Sequence, residues 1–217
     1  RRTASRGGFG EFLRYHGWLS PGVRLFRSIG FKAKATWISL AFLAPLVMAL
    51  GMLAKAALEQ VDIARSERTG VEVSRPLLSL VEAAQNRRRA AMANDADLPA
   101  LQEKTQKSFD ELNAQLTAKA KGMDLTSPRT ALRKLHEALA NKPMAATPDE
   151  TFQAHSEYVD AVLELLRHIV DGSKLSLDPE LDTFHLMTIA LMRGPVQTEN
   201  TAKLRGLGTA SLKAAAK

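Results

Sequence analysis

From Ala35 to Ala54 the chain runs for 20 residues without a charge, bracketed by Lys34 and Lys55. No other feature restricts the fold as much. A bilayer core about 30 Å thick needs roughly 20 apolar residues at 1.5 Å of rise each, so the stretch has the length of a membrane-spanning helix. A signal-peptide core is usually about 7–15 residues and follows a shorter leader. Ala54-Lys55-Ala56 does have the A-x-A form of a cleavage site, and its use would leave a mature chain starting at Ala57. A core helix of a soluble domain would be apolar on one stripe and charged on the other, whereas here the whole circumference is uncharged. Pro45 does not break the reading, because membrane helices tolerate proline. Trp37 falls where amphipathic aromatics prefer to sit, near a membrane boundary.

Charge sets the expected orientation. Residues 1–34 hold eight Lys/Arg and one acid, Glu11. Positive flanks stay in the cytoplasm, so the chain is expected to start inside, cross once and place everything after Lys55 outside. This also accounts for the basic isoelectric point of about 9.8. Of 30 Lys/Arg and 23 Asp/Glu, 22 of each remain beyond residue 34, a neutral balance. Arg87-Arg88-Arg89 is the one basic cluster there and has no interleaved aromatics, which argues against nucleic-acid binding. Cysteine is absent, which excludes disulfides, thiolate metal sites and a cysteine nucleophile.

Three segments are expected: a basic cytoplasmic segment over 1–34, a transmembrane helix over 35–54, and an extracytoplasmic helical bundle over 55–217. In the first, Phe9, Phe12, Trp18, Leu25 and Phe26 alternate with arginines, either as amphipathic pieces on the inner membrane surface or as a tail. In the third, the membrane helix is expected to continue outward unbroken, with Leu77, Leu80, Val81 and Ala84 on one stripe. Asn94–Asp97 reads as a turn and a second helix spans about 99–121, stopping at Gly122. Ser127-Pro128 reads as an N-cap followed by a first-turn proline. Thr147-Pro148-Asp149-Glu150 is a capping box. The helix behind it carries Phe152, His155, Val159, Val162, Leu166 and Ile169 on one face, at the spacing of shallow-angle bundles. Gly172 closes it. Asp178-Pro179 starts another helix with Leu181, Phe184, Thr188 and Leu191 on one side. Gly194-Pro195 is placed to kink it, and Gly206-Leu207-Gly208 to bend or end it. No strand pattern is present, so the fold class is all-α: a transmembrane helix continuing into an antiparallel bundle, incomplete at its C-terminal end.

Catalytic signatures are missing. His136-Glu137 opens like the zinc-protease H-E-x-x-H, but residue 140 is alanine. Gly206-Leu207-Gly208 has no third glycine and no preceding strand, so it is no dinucleotide loop. No phosphate loop and no G-x-S-x-G occurs. The chain is therefore read as no enzyme, with no cofactor and no metal.

Two stretches carry a resemblance. "ERTGVEVSRPLLSLVEAAQNRRRAA" (Glu67–Ala91) resembles the first outer helix of a helical-bundle sensor shared by bacterial methyl-accepting chemotaxis proteins and some sensor histidine kinases. "LSLDPELDTFHLM" (Leu175–Met187) is similar to the L-x-L-D-P-x-x-D-S-Y-Y-L-M signature of the same sensors. The likeness covers most of residues 24–208. It departs from the pattern at Phe184-His185, where two tyrosines are usual, at Lys174 in place of asparagine, and at Gln85-Asn86-Arg87 in place of Gln-His-Arg. Ligand specificity is therefore not carried over. The resemblance implies the sensory portion of a transmembrane chemoreceptor, acting as a parallel homodimer in the bacterial inner membrane with a second span downstream. The alternatives are the sensor region of a histidine kinase and a single-pass module that binds other proteins.

Four residues are candidates for ligand contact. Arg87 and Arg88 follow Ala84 by three and four positions, so at least one continues the apolar stripe inward. An inward arginine is costly unless an anion meets it, which suits a clamp on a small carboxylate ligand; an ion pair inside the bundle, or a side chain snorkelling at its end, satisfies it as well. His155 lies on the core face of the capping-box helix, as ligand contact or hydrogen-bonded core residue. His185 replaces a tyrosine of the signature, at the ligand or at a subunit boundary. Met187 and Met192 read as core filler. Leu58, Val61 and Val71 fall off the inward stripe and offer a second apolar surface for a partner copy.

Overall fold

A computed structural model describes residues 29–141, 147–178 and 180–215. The aromatic and arginine-rich stretch of residues 9–26 lies outside them, as does Pro179. The described residues are helical throughout, without strands. Helix α1 spans Phe31–Ala93, α2 Leu98–Lys119, α3 Thr126–Asn141 and α4 Pro148–Gly172. A short 3-10 turn at Leu175–Leu177 leads to α5, Leu181–Met187. A π-helical segment, Thr188–Arg193, joins it to α6, Gly194–Ala215.

The chain divides into two compact units, residues 1–59 and 60–217. In the first, the described residues are the start of α1 and the two residues before it. Every residue from 35 to 59 is exposed, and this is the one stretch among the described residues long and apolar enough to cross a membrane.

The second unit has its own core. From α1 come Val73, Leu77, Leu80 and Ala84, from α2 Phe109, Leu112 and Leu116, and from α4 Val159, Val162, Leu166 and Ile169. The spacings of three and four residues give each helix one continuous inward face. Tyr158 and Leu165 widen that of α4. The turns between helices use left-handed backbone: Asn94 at φ 51°, Gly122 at φ 95° and Lys174 at φ 65°.

The capping box forms as read. Thr147 Oγ1 accepts from Glu150 N–H at 3.2 Å, and the Thr147 N–H donates to Glu150 Oε2 at 3.2 Å. Three other expectations are corrected. Helix α3 does not start at Ser127; its first bond runs from Arg129 N–H to Leu125 O at 3.0 Å. The buried Leu125 anchors that turn, and Pro128 is accommodated because first-turn N–H groups have no helical acceptor. Asp178 does not begin α5 but closes a turn before it, accepting from Glu180 N–H at 2.9 Å.

The third correction concerns the glycines near the end. Gly206 and Gly208 do not end α6, which runs on to Ala215. The irregularity lies earlier. Pro195 has no N–H to give and its ring crowds the preceding turn. The backbone widens there, and Gly194 N–H bonds Ile189 O five residues back. A Cβ at Gly194 would sit 2.6 Å from that same oxygen, so only glycine fits.

Gly70 allows the closest helix-to-turn approach. A Cβ there would press on the Ser173 hydroxyl, 2.5 Å from Ser173 Cβ and 2.9 Å from Leu175 Cδ1. Ser173 is itself fully buried. Gly70→Ala is expected to destabilise by about 1–3 kcal/mol through overpacking, against about 1 kcal/mol of helix propensity gained. Thermal melts checked against Gly51→Ala, where nothing lies within 4 Å, decide this. Equal midpoints for the two variants would show the approach to be looser than described.

Candidate functional site

Both arginines at the end of α1 point inward. Arg87 is 5% exposed and Arg88 3%. Their surroundings differ, and the difference is chemical.

Arg88 is neutralised within the bundle. Its Nη1 donates to Glu199 Oε1 at 2.5 Å and to Ser156 Oγ at 3.0 Å, and its Nη2 to Glu199 Oε2 at 3.0 Å. This is a two-pronged guanidinium–carboxylate pair. Gln85 Nε2 donates to Glu199 Oε2 at 3.0 Å. Lys203 lies 3.5 Å from Glu199 Oε1 and holds Asp160 at 2.8 Å. The guanidinium also sits 5.4 Å from the Phe152 ring centroid. Helices α1, α4 and α6 thus meet at one ion pair.

Arg87 has no such partner. Its Nη2 donates to Leu139 O at 2.9 Å, on α3. Its Nε is buried and donates to nothing, and no carboxylate among the described residues pairs with it. Burial pulls its pKa below the usual arginine range. The titratable groups that feel its charge are uncharged at neutral pH. His155 is pushed down to about 4, first by burial and then by Arg87 and Arg88. His136 is pushed down by burial, then by Arg87. Burial raises Tyr158 well above the ordinary phenol range.

The neutral groups form a chain. His136 Nε2 lies 2.8 Å from Gln106 Oε1, an acceptor, so Nε2 carries the proton. His136 Nδ1, at 2.9 Å, then accepts the Tyr158 hydroxyl proton. Phe109 stacks on the imidazole at 3.8 Å between centroids. With its proton donated, the Tyr158 oxygen keeps only lone pairs to offer, which suits the cation of Arg87.

Of the four residues singled out from the sequence, Arg87, Arg88 and His155 are gathered in one buried region. His185 is not: it is exposed on α5, edge-on to Phe184 at 5.7 Å. The sequence reading did not find Glu199, Tyr158 or His136. The spacing Leu132–His136–Leu139 would have placed His136 on the inward face of α3, had its failed metal motif not drawn the attention. Beside the Arg88 pair, α4 and the α5–α6 run enclose a groove of about 810 Å³. Leu163, Phe184, Leu191 and Met192 give it apolar walls, and Asp160 and Glu199 edge it. Among the described residues no three His, Asp or Glu side chains converge as metal ligands.

Comparison of the chain with protein-family models, with curated proteins and with solved structures returned no match.

Proposed function

We propose that this chain is the sensory portion of a transmembrane receptor. Residues 35–54 cross the bacterial inner membrane with the N-terminus cytoplasmic. The bundle of residues 60–217 takes a small molecule outside, and α1 relays the change in packing. One observation carries this reading: a single helix, Phe31–Ala93, bears both the fully exposed uncharged stretch and the two buried arginines. A ligand that alters packing around residues 87–88 acts on the same helix that would cross the bilayer. Any such effect requires different affinities for two packings of the bundle. Chemotaxis is the output that the sequence resemblance favours, with a sensor kinase as its nearest alternative.

Leu58, Val61 and Val71 are 67%, 46% and 40% exposed on α1, which suits pairing of two copies along that helix. A second reading, a membrane-anchored module that docks other proteins, is favoured by Leu181, Leu186, Ile189 and Leu204, each more than 60% exposed.

The test has two parts. A reporter fused after residue 60 should work only where exported, and single cysteines at Leu58 and Val61 should crosslink two copies in membranes. A metabolite screen on the full chain in nanodiscs should find saturable thermal stabilisation. Cytoplasmic reporter activity after residue 60 would sink the receptor. Silence across a broad library, with export intact, would favour the docking module.

A further inference from the structure

We infer that Arg87 is the seat of a small monocarboxylate, bound through its unpaired Nε, and that Arg88 is not. The inference deepens the receptor reading by naming a ligand class, and rests on it only for the purpose that binding serves.

A guanidinium is always protonated in a protein and cannot escape burial by losing its charge. An isolated buried ion costs several kcal/mol even after relaxation. Proteins meet that cost with a counter-charge, as this bundle does for Arg88 through Glu199. Arg87, one residue away and equally buried, donates to a single backbone carbonyl, that of Leu139, and no carboxylate among the described residues pairs with it. Its Nε proton meets no acceptor in buried surroundings. Buried donors are nearly always satisfied, so an orphan of this kind points to a missing acceptor.

The missing acceptor must be an anion, because the deficit is one of charge as well as hydrogen bonding. It must carry a single charge. Among the described residues the only other buried arginine or lysine is Arg88, already matched by Glu199, so a dianion would leave one negative charge uncompensated. A carboxylate fits the fork geometry of a guanidinium and brings two oxygens.

The probes are formate and acetate at millimolar concentration, with inorganic phosphate and succinate as dianionic comparisons. The full chain is held in detergent micelles at pH 7 and constant ionic strength. The Arg87 Nε–Hε resonance, assigned by its loss in Arg87→Lys, is expected to shift saturably with formate or acetate. The thermal midpoint of the wild type should rise with the same probe, and that of Arg87→Met should not. Absence of any shift in the Arg87 resonance overturns the inference, as does an equal rise in Arg87→Met. A larger, saturable response to phosphate or succinate overturns the single-charge assignment. None of these results touches the receptor reading, which falls instead with the reporter and crosslinking outcomes.

Discussion

Arg88→Met and Glu199→Leu are each expected to destabilise the bundle by about 3–5 kcal/mol, the range for breaking one side of a buried ion pair. The two side chains are 4% and 2% exposed. Removing either leaves the other buried with incomplete partners. Glu199 would keep Gln85 and the more distant Lys203; Arg88 would keep Ser156 and the Phe152 face. The double variant Arg88→Met/Glu199→Leu removes both charges and leaves apolar volume in their place. Such replacements are often close to neutral, so its cost should fall well below the sum of the single changes. Urea denaturation of the full chain in detergent, followed by circular dichroism, supplies all three numbers. Single-variant losses under about 1 kcal/mol would place the pair in the range of solvent-exposed bridges and contradict the burial described.

The consequence reaches beyond stability. Glu199 follows the π-helical segment by only six residues, and Arg88 sits near the end of α1. The pair therefore couples the irregular part of the α5–α6 run to the helix that would carry a signal. If the proposed ligand binds at Arg87, it acts beside a guanidinium held in place by Glu199, and loosening that pair is expected to alter its binding as well as the stability of the bundle.

Much of this arrangement was legible in the sequence, for definable reasons. The face of α4 repeats at the helical period from Phe152 to Ile169, and burial follows it from His155 onward, with Phe152 only half-buried. The Thr147 capping box is local chemistry contained in four residues, so its geometry needs no tertiary information. The inward aim of Arg87 and Arg88 follows from their spacing after Ala84. What stands opposite an inward residue is a different matter. Glu199 lies 111 positions from Arg88, and which residue of α6 meets α1 depends on the rotation and register of two helices. Spacing along one helix fixes neither. The π segment was displaced for a similar reason: Gly194-Pro195 marks the cause, but the backbone accommodates it in the turn before. Ser127-Pro128 misplaced the start of α3 because burial of Leu125 outweighed a favourable cap, as tertiary packing commonly outweighs local preference.

The bundle is also expected to lose stability as pH falls from 7 towards 4, with His155 as the largest contributor. In the folded protein His155 titrates at about 4, against 6.5 for the unperturbed group. Between those values the unfolded chain binds a proton that the folded chain refuses, so stability rises with pH across that window. Above 6.5 the residue is neutral in both states, and below 4 it is protonated in both, so the contribution is confined to the interval. A displacement of this size corresponds to about 3 kcal/mol at one pKa unit per 1.36 kcal/mol. His136 is shifted the same way and adds to the loss. The surface carboxylates Glu72, Glu164 and Asp178 titrate below their ordinary values, so their losses fall at lower pH and separate from the histidine window. The physical origin lies in burial first and in Arg87 and Arg88 second, both of which repel a second cation. His155→Gln removes the titration while keeping a polar side chain. Urea midpoints measured at pH 7 and pH 4.5 should fall steeply for the wild type and clearly less for His155→Gln, with the remainder traceable to His136. An equal fall in both proteins would mean that His155 reaches water in the folded state, and that the two arginines do not press on it as their placement requires.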